Sequence, residues 1–510
     1  MRKFLKWETF CLIFILGVAS FFRLYRMEDY ITFLGDEGRD VLIVYDILHG
    51  NLTLLGPTAS VGGFFLGPIY YYFMAPFLWL FNYSPVGPAV MVALFGIATV
   101  FLIYKVGKEF FSAPVGLIAS GLYAISPLVV IYSRSSWNPN LMPFFSLLTV
   151  YVLYKALIRN SFKLFILCGF LLGITIQLHY LALFLGSIIV FYVALIRKSA
   201  YKSLKDYAQI FIGFLIGWSP FLAFEVRHGF PNVTSIFNFI FHSGDTGGSS
   251  NFFGTVNNVF FRLFGRLVAN FPPPEKVALG AHPDIALWYY TTLFLSIASV
   301  GLLVYKFKKH FKNKDQFQKM SLLLVWLILG VGLFGFYKKS IYDYYFGFMF
   351  PLPFFIVGLF LTSLWKNKFG KVISILILLS LVWLNYLGAP YKASRNRQLN
   401  QAETISKFVL DQTNNKPFNF ALITGGNSDH AYRYFFKIWN RDPIVIQNVA
   451  RDPKRATVTD QLLVVCEEVI CQPLGHSLWE IAGFGRAEIV GEWNVSVVKV
   501  YKLEHYTGKD

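Results

Sequence analysis

The residues best placed to do chemistry are three carboxylates, Asp36, Glu37 and Asp40, in the stretch Phe33-Leu-Gly-Asp-Glu-Gly-Arg-Asp40. They come after the first apolar segment, residues 9–22. Carboxylates beside a lipid-facing body are costly unless paired, hydrated or metal-bound, so such a cluster points to function. Two chemistries suit it. Asp36 can act as a general base with Glu37 as its helper, or the pair can hold a divalent metal ion. The same residues also suit a solvated acidic loop with Asp36 as a turn or cap residue.

Other polar groups recur at the ends of apolar runs. They are Arg134 with Trp137 and Asn138, Gln177 with His179, and the run from Lys338 and Lys339 through Tyr342, Asp343 and Tyr344. The topology below puts all of them on the same side as residues 36–40. Transfer of a sugar from a lipid phosphate suits this placement, since the lipid tail stays in the bilayer and the phosphate sits at the interface. Attack at the anomeric carbon needs a base for the acceptor hydroxyl. It also needs cations or a metal to stabilise the departing phosphate. Asp36 is the candidate base, and Glu37 its helper or a metal ligand. Arg134, Lys338 and Lys339 are candidate phosphate partners, with Trp137 and the tyrosines stacking on sugar or covering lipid. Plain structural roles also exist: cations that snorkel, His179 as a hydrogen-bonded interior residue, Asp343 paired with a lysine, and tyrosines in an aromatic belt.

The elements that position these groups follow from composition. The chain has 510 residues, 55% hydrophobic, 19% aromatic and only 15% charged, against about 25% charged in soluble proteins. Several apolar runs approach the roughly 20 residues that cross a bilayer, which predicts a polytopic all-α membrane protein. The net charge of +18 lies largely between those runs, where it sets topology. No zinc-finger spacing accompanies it, so nucleic acid is not an expected partner.

Placing the basic loops inside predicts about eleven spans, at roughly 8–24, 86–104, 113–131, 140–157, 164–179, 181–196, 208–225, 286–305, 321–336, 346–364 and 372–388. The first is an uncleaved helix with its N-terminus inside, and the C-terminus lies outside, in the cell (inner or plasma) membrane. Residues 1–389 then form a transmembrane domain with outer loops 25–66 and 226–285. In the first loop, Gly38 lets the chain turn between acidic groups. Residues 40–49 form a short amphipathic helix in the interface plane, and residues 62–76, with Tyr70 and Tyr71, form an interfacial or re-entrant piece. The glycines and aromatics of the second loop suit a mobile cover.

Residues 390–510 mix polar and apolar positions and predict a small extracytoplasmic α/β domain. Helices are expected at 399–410 and 428–437, the latter capped by Ser428 or Asp429, and strands at 418–424, 462–466 and 495–501. Gly425-Gly426 after the first strand reads as a turn. Cys466 and Cys471 could form one local disulfide if this domain meets an oxidising space. Cys11 and Cys168 suit apolar packing.

Several stretches carry a family resemblance: Gly35-Asp-Glu-Gly-Arg-Asp40, Gly67-Pro-Ile-Tyr-Tyr-Tyr72, residues 105–116 and 126–134, and Tyr342-Asp-Tyr-Tyr-Phe346 leading to Pro351-Leu-Pro353. Over roughly residues 8–388 the chain resembles membrane glycosyltransferases of the GT-C superfamily, which use polyprenyl-phosphate donors. It is similar to bacterial relatives of protein O-mannosyltransferases and of the lipid A aminoarabinose transferase. The resemblance implies Asp36, with Glu37 beside it, as catalytic base or metal neighbour, and Lys338 or Lys339 on the lipid phosphate. Asp40, Tyr70, Tyr71, Arg134, Asn138, His179, Tyr342, Asp343 and Tyr344 complete the candidate substrate contacts. The implied partners are a polyprenyl-phosphate-linked sugar, a lipid, glycan or protein acceptor, and membrane lipid; a divalent metal is the one implied cofactor.

Two other classes compete: a flippase or polymerase of lipid-linked glycans, and a non-catalytic envelope assembly protein. A flippase needs a polar path through the bilayer, whereas the mid-span positions here are nearly free of ionisable groups. An assembly protein needs no acidic cluster at the membrane face.

Overall fold

The computed structural model describes residues 2–248, 251–277 and 282–508; residues 249–250 and 278–281, in the second expected outer loop, lie outside the described residues. The chain forms two compact units. One comprises Met1–Tyr25, Thr53–Phe73 and Ala89–Ser394, the other Arg26–Leu52, Met74–Pro88 and Arg395–Asp510.

The first unit carries the membrane helices. Among the described residues, seven helices are long and apolar enough to cross a bilayer: Lys6–Leu24, Val86–Phe110, Asn138–Arg159, Tyr180–Arg197, Pro283–Lys309, Lys314–Phe336 and Lys368–Leu387. Two bent pairs raise the count to nine. Ala200–Gly217 meets Ser219–His228 at 79°, and Asp343–Met349 meets Leu352–Lys366 at 64°. Proline stands in the first turn of the helix after each bend, where it cannot donate back into the preceding helix. Ile69–Leu80, Ala113–Ile125 and Phe162–Leu178 are shorter apolar helices. The protein is thus a multi-pass helical membrane protein.

Phe162–Leu178 lies along Ala200–Gly217 because Gly169 and Gly173 face Gly213 and Gly217. A Cβ at Gly169 would overlap the Ile210 carbonyl, and one at Gly217 the Phe170 carbonyl. Small residues at this spacing let membrane helix backbones approach closely.

The expected outer loops contain helices. Pro231–Phe241 and Phe252–Gly265 replace much of the open cover expected at 226–285. In the first loop the expected helix at 40–49 begins earlier and spans Gly35–Leu48, so Asp36 and Glu37 sit in its first turn. Gly38 is therefore inside the helix instead of at a turn.

The second unit contains one four-stranded sheet, β1 (Asn419–Ile423), β2 (Gln461–Cys466), β3 (Ala487–Val495) and β4 (Val498–His505), in the order β1-β2-β4-β3. β1 and β2 are parallel, and the other pairs antiparallel. The strand expected at 495–501 straddles the turn between β3 and β4. Its run of valines reads as one strand, while the left-handed Ser496 (φ 55°) reverses the chain. Both expected helices form, as Gln398–Gln412 and His430–Ile438. Asp429 takes the N-cap position of the latter without a side-chain cap bond. Ala421, Ile423, Leu462, Val464, Tyr501 and Leu503 fill the core on one side of the sheet. Cys466, the last residue of β2, forms a disulfide with Cys471.

Candidate active site

The acidic helix, Gly35–Leu48, is shaped by its neighbour. It packs on the His430–Ile438 helix, and Val41, Val44 and Ile47 form its buried apolar stripe. At its N-terminal end the two backbones nearly touch. A Cβ on Gly38 would overlap the Ala431 backbone nitrogen and come within 2.6 Å of its Cα. Gly35 donates its N–H to Asn427 Oδ1 at 2.9 Å. Asn427 Nδ2 in turn donates to Glu467, which also accepts from Thr424 and Tyr432. The loop after β1 thus fixes where the acidic helix starts.

This start separates the three carboxylates. Asp36 is exposed, its side chain 61% accessible, with Oδ1 taking the Arg39 guanidinium at 3.0 Å. Asp40 is fully buried and accepts from the same guanidinium at 2.8 and 3.0 Å. Glu37 is buried and accepts the Leu34 N–H at 3.1 Å. Burial, reinforced by the charges of Asp40 and Asp36 and opposed by backbone N–H groups, pushes its carboxyl up to about 7. His430 is held below the usual imidazole range by burial, with Arg39 and Arg433 adding to the effect and Asp429 and Asp36 opposing it. Asp36 is therefore a reachable acceptor for a proton, set in an arrangement that keeps its neighbours fixed. The pair Asp36–Glu37 does not fit a shared metal ion: one carboxylate faces outward and the other is turned to Leu34. Among the described residues no three His, Cys, Asp or Glu side chains converge on a metal position.

In the membrane unit, Trp137, His179, Tyr342 and Tyr344 of the sequence candidates form an aromatic cluster. Asn138 Nδ2 donates to the Leu178 carbonyl at 2.6 Å. His179 is buried, its Nδ1 accepting the Leu181 N–H, with its ring against Tyr180 and 5.7 Å from Tyr344. Trp137 meets Tyr344 edge-on at 4.4 Å, and Tyr342 stacks on Tyr344 at 5.8 Å. Tyr70 bonds Ser136 at 2.8 Å, and Tyr71 is fully buried. The Tyr180 and Tyr337 hydroxyls are 3.1 Å apart. They stand at the edge of a largely apolar cavity of about 250 Å³ lined also by Phe64, Phe184, Phe239 and Phe336.

The cations are arranged differently from the sequence expectation. Arg134 is buried and donates to the Phe22 and Tyr25 carbonyls, both at 2.7 Å, where the first helix ends. Lys338 and Lys339 are exposed, and Lys339 lies 3.2 Å from Asp245. Asp343 pairs with two arginines and not with a lysine. Arg262 reaches Oδ1 through Nε at 2.9 Å and Nη2 at 2.6 Å, and Arg266 reaches Oδ2 at 2.9 Å. Arg262 is completed by the Ile341 carbonyl and lies over the Phe346 ring. Arg266 gives Nη1 to the Phe271 carbonyl, and among the described residues its Nη2 has no hydrogen-bond partner. Two guanidiniums on one carboxylate carry a net positive charge. Sequence reasoning missed both arginines. Their signal was the spacing Arg262-x-x-x-Arg266, which puts two cations on one face of an otherwise apolar helix.

The fold is similar to that of solved membrane transferases, and one segment of the chain matches a family model. Residues 66–224 match the family described as dolichyl-phosphate-mannose-protein mannosyltransferase. Among solved structures, ArnT from Cupriavidus metallidurans bound to undecaprenyl phosphate superposes with a TM-score of 0.61 at 12% identity, covering 98% of each chain. The oligosaccharyltransferase AglB from Archaeoglobus fulgidus, in complex with an inhibitory peptide and dolichol-phosphate, gives 0.52 at 13% identity, over 90% of this chain and 69% of that one. The same archaeal enzyme with zinc and sulfate gives 0.51 at 14% identity, over 89% and 67%. No curated protein sequence matches the chain.

Proposed function

We propose that the protein transfers a sugar from a polyprenyl-phosphate-linked donor to an acceptor hydroxyl at the outer face of the cell membrane. The observation that carries this reading is the placement of Asp36. It is the accessible one of the three neighbouring carboxylates Asp36, Glu37 and Asp40, the other two being buried, and Arg39 holds it in place. The acceptor oxygen attacks the anomeric carbon as its proton passes to Asp36, and the bond from that carbon to the phosphate oxygen breaks. Polyprenyl phosphate leaves with the bonding electron pair. Glu37 acts by locking the helix start to Leu34. Arg266 and Arg262 are suited to the lipid phosphate, because among the described residues Arg266 keeps one unpartnered donor while Asp343 fixes both guanidiniums. The cavity beside Tyr180 and Tyr337 suits an apolar chain. No step runs through a metal ion at Asp36 and Glu37, because the two carboxylates face different surroundings.

Eleven crossings accompany this reading: the nine above, Ala113–Ile125 continued by Pro127–Tyr132, and Phe162–Leu178. Ile69–Leu80 stays at the interface, so the basic loops remain inside and residues 395–510 outside.

The test is Asp36→Asn in nanodiscs, assayed with a panel of polyprenyl-phosphate sugars. Losing a well-placed base costs about 10²–10⁴-fold in rate. Asn keeps the size and the helix N-terminal preference of Asp, so expression and folding should hold. Wild-type turnover by the Asn variant would remove Asp36 from the chemistry.

A further inference from the structure

A second cavity, of about 350 Å³, opens among the Phe162–Leu178, Leu183–Arg197 and Ala200–Gly217 helices. Its chemistry differs from everything described above. Arg197, Lys202 and Lys205 line it with Asp206 as the lone acid, together with the aromatic rings of Phe162 and Tyr201. Arg197 is mostly buried and fixed. Its Nε pairs with Asp206, its Nη2 donates to Asn160 at 2.8 Å, and its guanidinium lies 5.5 Å from the Phe165 ring centre. Asp206 is thereby neutralised, and among the described residues neither lysine has an ion-pair partner. Two helix starts add to the positive potential. Phe162 is the first residue of its helix, and Tyr201 and Lys202 lie in the first turn of theirs. First-turn N–H groups lack intrahelical acceptors and carry partial positive charge.

Position identifies the source of the anion. Arg197 is the last residue of the apolar span Tyr180–Arg197, so the cavity stands at the depth of lipid headgroups. Phe162 and Tyr201 are 57% and 78% exposed beside it, as expected of side chains that meet the bilayer interface. A water-soluble anion needs no such apolar rim.

We propose that this cavity binds the phosphate of an anionic phospholipid, as a resident lipid of the leaflet that faces the basic loops. Only the choice of leaflet rests on the proposed topology; the site itself does not depend on the transfer activity.

The test is native mass spectrometry of the full-length protein titrated with phosphatidylglycerol and, separately, with phosphatidylcholine. One equivalent of phosphatidylglycerol should bind more tightly than phosphatidylcholine. The variant K202A/K205A should weaken it roughly 30-fold, taking about 1 kcal/mol for each lysine near a headgroup. K202R/K205R should keep it, and K366A/K368A, on another basic loop, should leave it unchanged. Both lysines are exposed, so folding is not at stake, and transfer activity is not the readout. The proposal is overturned by equal affinity in wild type and K202A/K205A, by equal loss in the two alanine pairs, or by inorganic phosphate displacing the lipid at equal concentration.

Discussion

Replacing Glu37 by Gln removes a charge from a place that resists it. Glu37 is 8% exposed, and its carboxyl is raised from the ordinary 4.5 to about 7. The folded helix therefore prefers the neutral acid. Its contribution is fully present below pH 4.5, falls as pH rises toward 7, and is lost above that value. At about 1.4 kcal/mol for each tenfold change in proton affinity, the loss amounts to about 3 kcal/mol. Local opening of the Gly35–Leu48 helix should follow this, because opening returns Glu37 to water. Amide hydrogen exchange of peptides from residues 35–48 in nanodiscs, at pH 4.5 and 8 and corrected for intrinsic rates, measures it. Wild-type protection should fall by roughly two orders of magnitude across that range. Gln keeps an oxygen for the Leu34 N–H and carries no charge, so the variant should show little of this fall and be better protected at pH 8. The same pH dependence in wild type and variant would refute the reasoning.

Three further outcomes are expected. Arg266→Ala should raise KM for the polyprenyl-phosphate donor by roughly 10–100-fold, the worth of one charged hydrogen bond, while Arg262 keeps Asp343 in place; unchanged donor saturation would assign the phosphate elsewhere. Cys466 and Cys471 should resist alkylation in the native protein and accept two labels only after reduction, as read by mass. Single cysteines placed at residues 398–510 in a cysteine-free background should be labelled from outside intact cells, whereas those at 306–319 should not; the reverse pattern would invert the topology.

Comparison with ArnT from Cupriavidus metallidurans and AglB from Archaeoglobus fulgidus bears on fold alone at 12–13% identity. The chemistry assigned to this chain therefore rests on its own side chains. The role of the C-terminal region illustrates this. Its fold was legible, but its work at the site was not: Asn427 and Ala431 fix the start and the seat of the acidic helix.

The sequence by itself determined that the chain is a multi-pass helical membrane protein with basic stretches between its apolar runs, the strands at 419–423 and 461–466 and the acidic motif. Hydropathy, charge bias and strand runs are local quantities, and the solvent acts on each segment separately. It could not determine that the acidic helix begins at Gly35, because the deciding contacts come from Asn427, Ser428 and Ala431, far along the chain. Nor could it pair Arg262 and Arg266 with Asp343, about eighty residues away. It read 495–501 as one strand because the valines on both sides of Ser496 look alike. Which of three neighbouring acids meets solvent was decided only by tertiary structure, because helix phase and the approach of a second backbone set burial.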